Sequence, residues 1–207
     1  MTVLPDTPLR VAPGTRRRAL LAGALVLPLS VLTPAAVLLV PLAVALTVWF
    51  SRDPPRTPPE EGFVSPADGR VSVLREEDHD GETRVRVGVF MNVTDVHVNR
   101  APAPGTVESV EHTPGRHLPA FTKESDRNER VVVDCGDYEV TLIAGAVARR
   151  IHPLVEVGER LDRGDRIGHI TFGSRADVLF PPDVSLADVR VERGGKVRAG
   201  ETVLSDG

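Results

Sequence analysis

The sequence is poor in several residue types that particular chemistries require. Cys135 is the only cysteine among 207 residues. No disulfide can therefore close within the chain, and a cysteine-rich metal site is excluded; a reducing compartment is in keeping with this. Lysine occurs only at Lys123 and Lys196, which leaves two attachment points for a carrier group. Aromatic residues make up 4% and are not interleaved with basic ones, so nucleic acid is not an expected partner. No pair of histidines or acids shows the spacing of metal ligands, and no metal is expected.

Glycine and proline are plentiful, at 18 each, and valine is frequent, which indicates a β-rich domain with many turns. The net charge of −4 is uneven. Residues 1–56 carry six arginines (Arg10, Arg16, Arg17, Arg18, Arg52, Arg56) against Asp6 and Asp53, a surplus of +4 that leaves −8 for the rest. A basic segment beside a long apolar run points to a membrane surface.

That run, Ala19–Phe50, has 32 residues without a formal charge. As one helix it would be about 48 Å long at 1.5 Å per residue, more than a bilayer core of about 30 Å requires. Pro28, Pro34 and Pro41 offer breaks. The expectation is two short helices, about Ala19–Leu32 and Ala35–Phe50, meeting near Thr33-Pro34. They form either a span or a hairpin in one leaflet, with both ends on the cytoplasmic side. The expected organisation is a polar basic N-terminus (1–18), a membrane-associated segment (19–50), a stiff Pro-rich linker (51–62) and a catalytic domain (63–207). In that domain short β-branched runs predict strands near 63–65, 69–75, 83–90, 104–111, 130–135, 138–144, 166–171, 177–180 and 188–191. Val93–Val98 reads as one helical turn and Glu111–Ser125 as a surface loop. Residues 157–167 and 191–203 echo each other in their spacing of glycines and aliphatics. Such hairpins recur in barrel-sandwich folds.

Four short stretches could carry chemistry. In Phe172-Gly173-Ser174-Arg175 a conformationally free glycine precedes a hydroxyl, so that Ser174 can turn toward the preceding carbonyl. By itself this is an ordinary turn pair. Ser65-Pro66-Ala67-Asp68-Gly69 places a carboxylate in a turn, where it could orient a histidine. Asp95-Val96-His97-Val98-Asn99-Arg100 sets His97, a side chain suited to proton transfer near neutral pH, among apolar residues. His79, His112, His117, His152 and His169 compete for the role. Asp126-Arg127-Asn128-Glu129-Arg130 reads locally as a solvated loop that feeds a strand.

Together and in this order, the four resemble the phosphatidylserine decarboxylase proenzyme family in its short form, over about residues 60–207. The resemblance implies a mainly β, barrel-sandwich-like catalytic domain behind the apolar helical membrane segment. It implies self-cleavage between Gly173 and Ser174 into a β chain (1–173) and an α chain (174–207), which form a heterodimer that could assemble further. Ser174 would become a covalent pyruvoyl group, the cofactor, with neither metal nor pyridoxal phosphate. That group would form a Schiff base with phosphatidylserine in the membrane and release phosphatidylethanolamine. Asp68 and His97 would be the carboxylate–imidazole pair that activates Ser174, and His97 would also supply the proton after decarboxylation. Arg100, Arg130 and Arg175, with Arg149 and Arg150 behind them, would hold the phosphate. Longer family members carry two histidines three apart; here the first matches His97 and the second falls on Arg100. His97 would then serve both steps, or another histidine fills the gap. The implied location is the cell membrane, with the catalytic domain on the cytoplasmic side; a diacyl or an archaeal ether lipid would suit equally. The competing reading is a non-enzymatic, membrane-anchored barrel-sandwich adaptor, which would leave the Asp68, His97 and Ser174 set without a purpose. A lipoyl or biotin carrier would need its lysine at a hairpin tip, as at Lys196.

Overall fold

In a computed structural model, residues 10–26, 39–116, 118, 120, 127–146, 150–170 and 173–207 are described. The chain divides into two compact units, residues 1–55 and 56–207.

The first unit holds helices α1 (Thr15–Val26) and α2 (Leu39–Phe50). α1 starts earlier than expected: arginine is a good helix former, so Arg16–Arg18 continue the helix instead of preceding it. The expected junction at Thr33-Pro34 lies outside the described residues. Pro41 is tolerated because it sits in the first turn of α2, where its missing N–H has no intrahelical partner to lose. The outer ends of the helices are joined by a bridge from Val11 to Arg52 and by bonds from Ala12 N–H to Ser51 O and Asp53 N–H to Arg10 O. Between the helices, Gly23 faces Val40 and Val44. Leu20, Leu21, Leu25, Leu42 and Leu46 are exposed. Twelve residues rise about 18 Å, and among the described residues no helix is long and apolar enough to cross a membrane.

The second unit is mainly β. Its strands are β1 (Phe63–Val64), β2 (Gly69–His79), β3 (Glu82–Phe90), β4 (Val98–Arg100), β5 (Gly105–Thr106), β6 (Ser109–Thr113), β7 (Arg130–Asp134), β8 (Glu139–Ile143), β9 (Ile151–Pro153), β10 (Arg160–Leu161), β11 (Arg166–Ile170), β12 (Arg175–Leu179), β13 (Lys196–Val197) and β14 (Val203–Ser205). Seven of them form one antiparallel sheet in the order β13-β2-β3-β12-β8-β7-β6. β4-β11-β9 form a second sheet; β1-β14 and β10-β5 are two-stranded. Alternation along the strands sends Val85, Val87 and Val89, Val140 and Leu142, and Ala176 and Val178 into a common core. Several sequence expectations are corrected. Residues 111–113 continue strand β6 rather than opening a loop, and 188–191 hold the end of a 3₁₀ turn (Leu186–Asp188) and an isolated bridge instead of a strand. Val93–Val98 is a turn that runs into β4.

The echo between residues 157–167 and 191–203 belongs to a larger internal repeat. Ser65-Pro66-Ala67-Asp68-Gly69 is answered by Ala101-Pro102-Ala103-Pro104-Gly105, 36 residues on. Gly69 and Arg70 pair with Val197 and Lys196, while Gly105 and Thr106 pair with Leu161 and Arg160, also 36 residues apart. Gly200 N–H donates to Ser65 O as Gly164 N–H donates to Ala101 O. Val64 N–H to Pro102 O and Arg100 N–H to Pro66 O are reciprocal bonds, 2.8 and 2.9 Å long. The reciprocity is that of a local two-fold axis. The halves differ in charge at Asp68 against Pro104 and at Arg100 against Val64, so two of the predicted site residues are departures from the repeat.

The second half of the expected linker is fastened to the β unit. Arg163 donates to the carbonyls of Pro59, Glu60 and Gly62. Arg56 grips Asp68 with one nitrogen on both carboxylate oxygens, at 2.9 and 2.8 Å.

Candidate active site

Ser174 stands just before β12, the middle strand of the large sheet, with β3 on one side and β8 on the other. Its carbonyl accepts from Met91 N–H at 2.9 Å, which extends the β3–β12 ladder by one rung. It is two residues ahead of Ala176, so its side chain shares the core-facing side of the strand. The residue is fully buried, and its Oγ has no hydrogen-bond partner among the described residues. Gly173 has φ +62°, a left-handed conformation open to glycine at little cost. Phe172, the first residue of the motif, lies outside the described residues, as does Thr171. The Gly173 carbonyl presses on Gly145: a Cβ built there would lie 1.7 Å from its oxygen. Nothing in the local sequence singles out Gly145, because its requirement comes from a chain segment 28 positions away.

His97 is 3% exposed, and its Nδ1 lies 3.0 Å from the Asp95 carbonyl. Donation from Nδ1–H leaves Nε2, also buried, as the basic nitrogen. The His97 carbonyl accepts from Ile170 N–H at 3.3 Å, which ties it to the end of β11, four residues before Ser174. His97 and Ser174 Oγ are not hydrogen-bonded to each other. Two residues along from His97, Asn99 is fully buried; its Nδ2 reaches only Met91 Sδ, at 3.6 Å, and its Oδ1 has no partner among the described residues. Asn99 and Ser174 thus both touch Met91, one through the sulfur and the other through the main chain. Sequence reading quoted Asn99 within its motif and gave it no role. An unmade hydrogen bond in a buried site costs about 1–3 kcal/mol. Replacing Asn99 by leucine, similar in shape and apolar, is therefore expected to leave the melting temperature unchanged or raised while any chemistry at Ser174 slows at least tenfold. A scanning-fluorimetry melt read beside the cleavage rate checks this; a lower melting temperature with an unaltered rate would assign Asn99 to packing alone.

Asp68 is not paired with His97. Its carboxylate is taken by one Arg56 nitrogen and by Ala199 N–H at 2.8 Å, while the same turn meets β4 through its main chain, at Pro66 O. Gly69 beside it has φ +150°, and a Cβ there would lie 2.1 Å from Phe90 O. The Asp-Gly pair therefore sets the close approach of β2 to β3 rather than a hairpin turn. Arg100 donates to Gly164 O at 2.8 Å and is 6% exposed, within the two-fold repeat. Arg149 lies outside the described residues, as do His117 and Lys123.

Arg130 and Arg175 do come together. Both line a cavity of about 280 Å³ on the other side of the large sheet, with Arg86, Glu77, Thr141 and Asp177. Arg175 grips Asp177 through two bonds of 2.7 and 2.9 Å. Burial pushes the Glu77 carboxyl up, but hydrogen bonds and charge from Arg86 and Arg75 outweigh it and hold it below the usual carboxylate range. Burial likewise pulls Arg86 down, and Glu77 and Asp177 more than restore it. Arginines outnumber acids in the lining by four to three, a balance that favours an anionic ligand.

A family model described as "Phosphatidylserine decarboxylase" matches residues 44–205. The chain belongs to the phosphatidylserine decarboxylase family. One relative, from Halobacterium salinarum, is 64% identical over 78% of this chain and 81% of its own length, and is named a putative archaetidylserine decarboxylase proenzyme. Relatives named phosphatidylserine decarboxylase proenzyme include that of Thermobifida fusca, 50% identical over 82% of this chain and 76% of its own length, and that of Streptomyces avermitilis, 52% identical over 75% of this chain and 71% of its own length. Membership in the decarboxylase family bears out the resemblance drawn from the four motifs, all of which fall inside the matched span.

Proposed function

We propose that this chain is a self-processing decarboxylase that removes carbon dioxide from the serine headgroup of a membrane phospholipid. The observation that carries the reading is the fully buried Ser174 Oγ, without a partner among the described residues, that follows a left-handed Gly173, in a family whose relatives are named decarboxylase proenzymes.

These residues suit the formation of a pyruvoyl group. Ser174 Oγ bonds to the Gly173 carbonyl carbon, the Gly173–Ser174 C–N bond breaks, and the hydroxyl proton passes to the freed Ser174 nitrogen. Removal of the Ser174 α-proton then breaks the Cβ–Oγ bond and releases Gly173 as a carboxylate. Water replaces the nitrogen at position 174, which leaves as ammonia. A pyruvoyl group there supplies the electron sink that loss of carbon dioxide from an amino acid requires. His97 Nε2 is the proton carrier, its ring set by the Asp95 carbonyl. Arg130 and Arg175 line a cavity on the face of the sheet away from Ser174, and Arg175 is held by Asp177, so the lipid phosphate is not assigned to them. Asp68 fixes the frame of the repeat through Arg56 and Ala199 instead of orienting His97.

The reading extends to architecture and place. The two-fold repeat supports a barrel-sandwich-like description of the catalytic domain. The exposed leucines of α1 and α2, with Arg16–Arg18 at one end, suit a hairpin set into one leaflet on the cytoplasmic side. The names of the relatives differ in the lipid, phosphatidyl or archaetidyl, and agree on serine and decarboxylase; the headgroup is the shared chemistry.

The test is the mass of the purified protein under denaturing conditions. Two chains are expected, 1–173 and 174–207, the smaller lighter by one ammonia than hydrolysis would leave it. A single unmodified chain from folded protein would remove the cofactor and favour the membrane-anchored adaptor.

A further inference from the structure

The self-cleavage proposed above demands that one peptide carbonyl, that of Gly173, be held still while Ser174 Oγ approaches it. What holds it is visible in the contacts of Gly145. β7 and β8 end as a ladder at Arg130↔Ile143, yet the next residue, Ala144, is still bonded at both its polar groups. Its N–H donates to Glu129 O at 2.9 Å, and its carbonyl accepts from Asn128 Nδ2 at 2.8 Å. A side-chain amide thus supplies a rung that the main chain no longer provides. The same amide closes on Leu118, accepting from its N–H at 2.9 Å and donating to its carbonyl at 2.6 Å. Asn128 is 1% exposed with every one of these bonds internal. The reading of its motif as a solvated loop is therefore reversed. Gly115 lies against the same segment, with room for no side chain: a Cβ there would be 2.4 Å from Asn128 C.

We infer that Asn128 and Gly145 form the template that positions the scissile Gly173 carbonyl for attack by Ser174. The inference rests on the self-cleavage reading. Gly145 is the wall against which the carbonyl oxygen sits; Asn128, acting through Ala144, fixes that wall. Both are positioning residues. A Cβ at Gly145 would have to move from 1.7 Å to at least 3.0 Å from the oxygen, a displacement of about 1.3 Å. Misplacement of reacting atoms by roughly 1 Å can slow a reaction about 10²-fold.

The experiment compares self-cleavage in the full-length wild type, Gly145→Ala, Asn128→Asp and a control, Val87→Ala. The control opens a cavity in β3, a core strand away from the template, and lowers stability without touching it. Expected are wild-type cleavage, at least 100-fold slower cleavage in Gly145→Ala and at least tenfold slower cleavage in Asn128→Asp. In the latter, a carboxylate would face the carbonyls of Leu118 and Ala144 where a donor is needed. Val87→Ala should keep wild-type cleavage below its own melting temperature. Each uncut variant is then treated with hydroxylamine, which cleaves esters formed at Ser174. Uncut Gly145→Ala should stay intact, since no ester forms without attack. Three results overturn the inference: Gly145→Ala cut at the wild-type rate, hydroxylamine cleaving it at 173/174, or Val87→Ala slowed as much at a matched melting temperature. Failure of the wild type to cut would instead overturn the self-cleavage reading itself.

Discussion

Ser174→Ala is expected to give a folded, single, uncut chain with no decarboxylase activity. The loss is complete rather than partial, because the hydroxyl proposed to attack the Gly173 carbonyl is gone and with it the precursor of the pyruvoyl group. Stability should move the other way. The Ser174 hydroxyl is buried without a partner among the described residues, and removing such a group relieves about 1 kcal/mol or more. A variant that melts at or above the wild-type temperature and never cleaves would show a residue kept for chemistry at the expense of stability. Denaturing mass spectrometry beside a thermal melt reads both. Continued cleavage of Ser174→Ala between residues 173 and 174 would mean that an outside protease makes the cut.

The second large effect concerns the residue after the serine. Arg175 is 3% and Asp177 1% exposed, joined through two bonds on one side of β12. Removing one partner of a buried ion pair leaves an uncompensated charge and costs about 3–5 kcal/mol, a large part of the 5–15 kcal/mol typical of a domain. Asp177→Ala is expected to lower the unfolding free energy by that amount, seen as a lower urea midpoint with little change in slope. The double variant Asp177→Ala/Arg175→Met should recover much of the loss, since it leaves no buried charge uncompensated. A shift for Asp177→Ala below about 1 kcal/mol would mean that water reaches Arg175 in solution. The carboxylate also depends on Gly88, where a Cβ would lie 2.5 Å from Asp177 Oδ1.

What could be read from the sequence follows from the range of the forces involved. β3, β7 and β8 are legible because each is a run of five or more residues rich in valine and other β-branched side chains and bounded by turn signals, a pattern written locally. β10 and β13 have two residues each; no period fits in two residues, and only the two-fold pairing reveals them, whereas β5 falls within the run predicted at 104–111. The Gly-Ser motif was legible because its glycine is needed for its own backbone angle. Gly145 was not, because its glycine is needed for another segment's carbonyl. Asn128 was misjudged for a similar reason: amid Asp126, Arg127 and Glu129 it looks solvated, and its burial comes from Leu118 and Ala144. Asp68 illustrates the opposite error. Its turn was foreseen, but Arg56, assigned to the linker, proved to be its partner.

The position of β12 in the middle of the large sheet has a consequence for how the finished protein would come apart. A cut at 173/174 leaves β12 bonded along both edges, to β3 and to β8, and β14 bonded to β1, so the nicked molecule does not shed its small fragment. Unfolding, however, becomes a dissociation. The intact precursor unfolds as one chain, with a midpoint independent of concentration. The nicked form would melt at a temperature that rises with protein concentration and, once separated, would have to find its fragment again by diffusion. Folding would thus belong to the precursor, and the mature molecule would persist through slow unfolding rather than ready refolding.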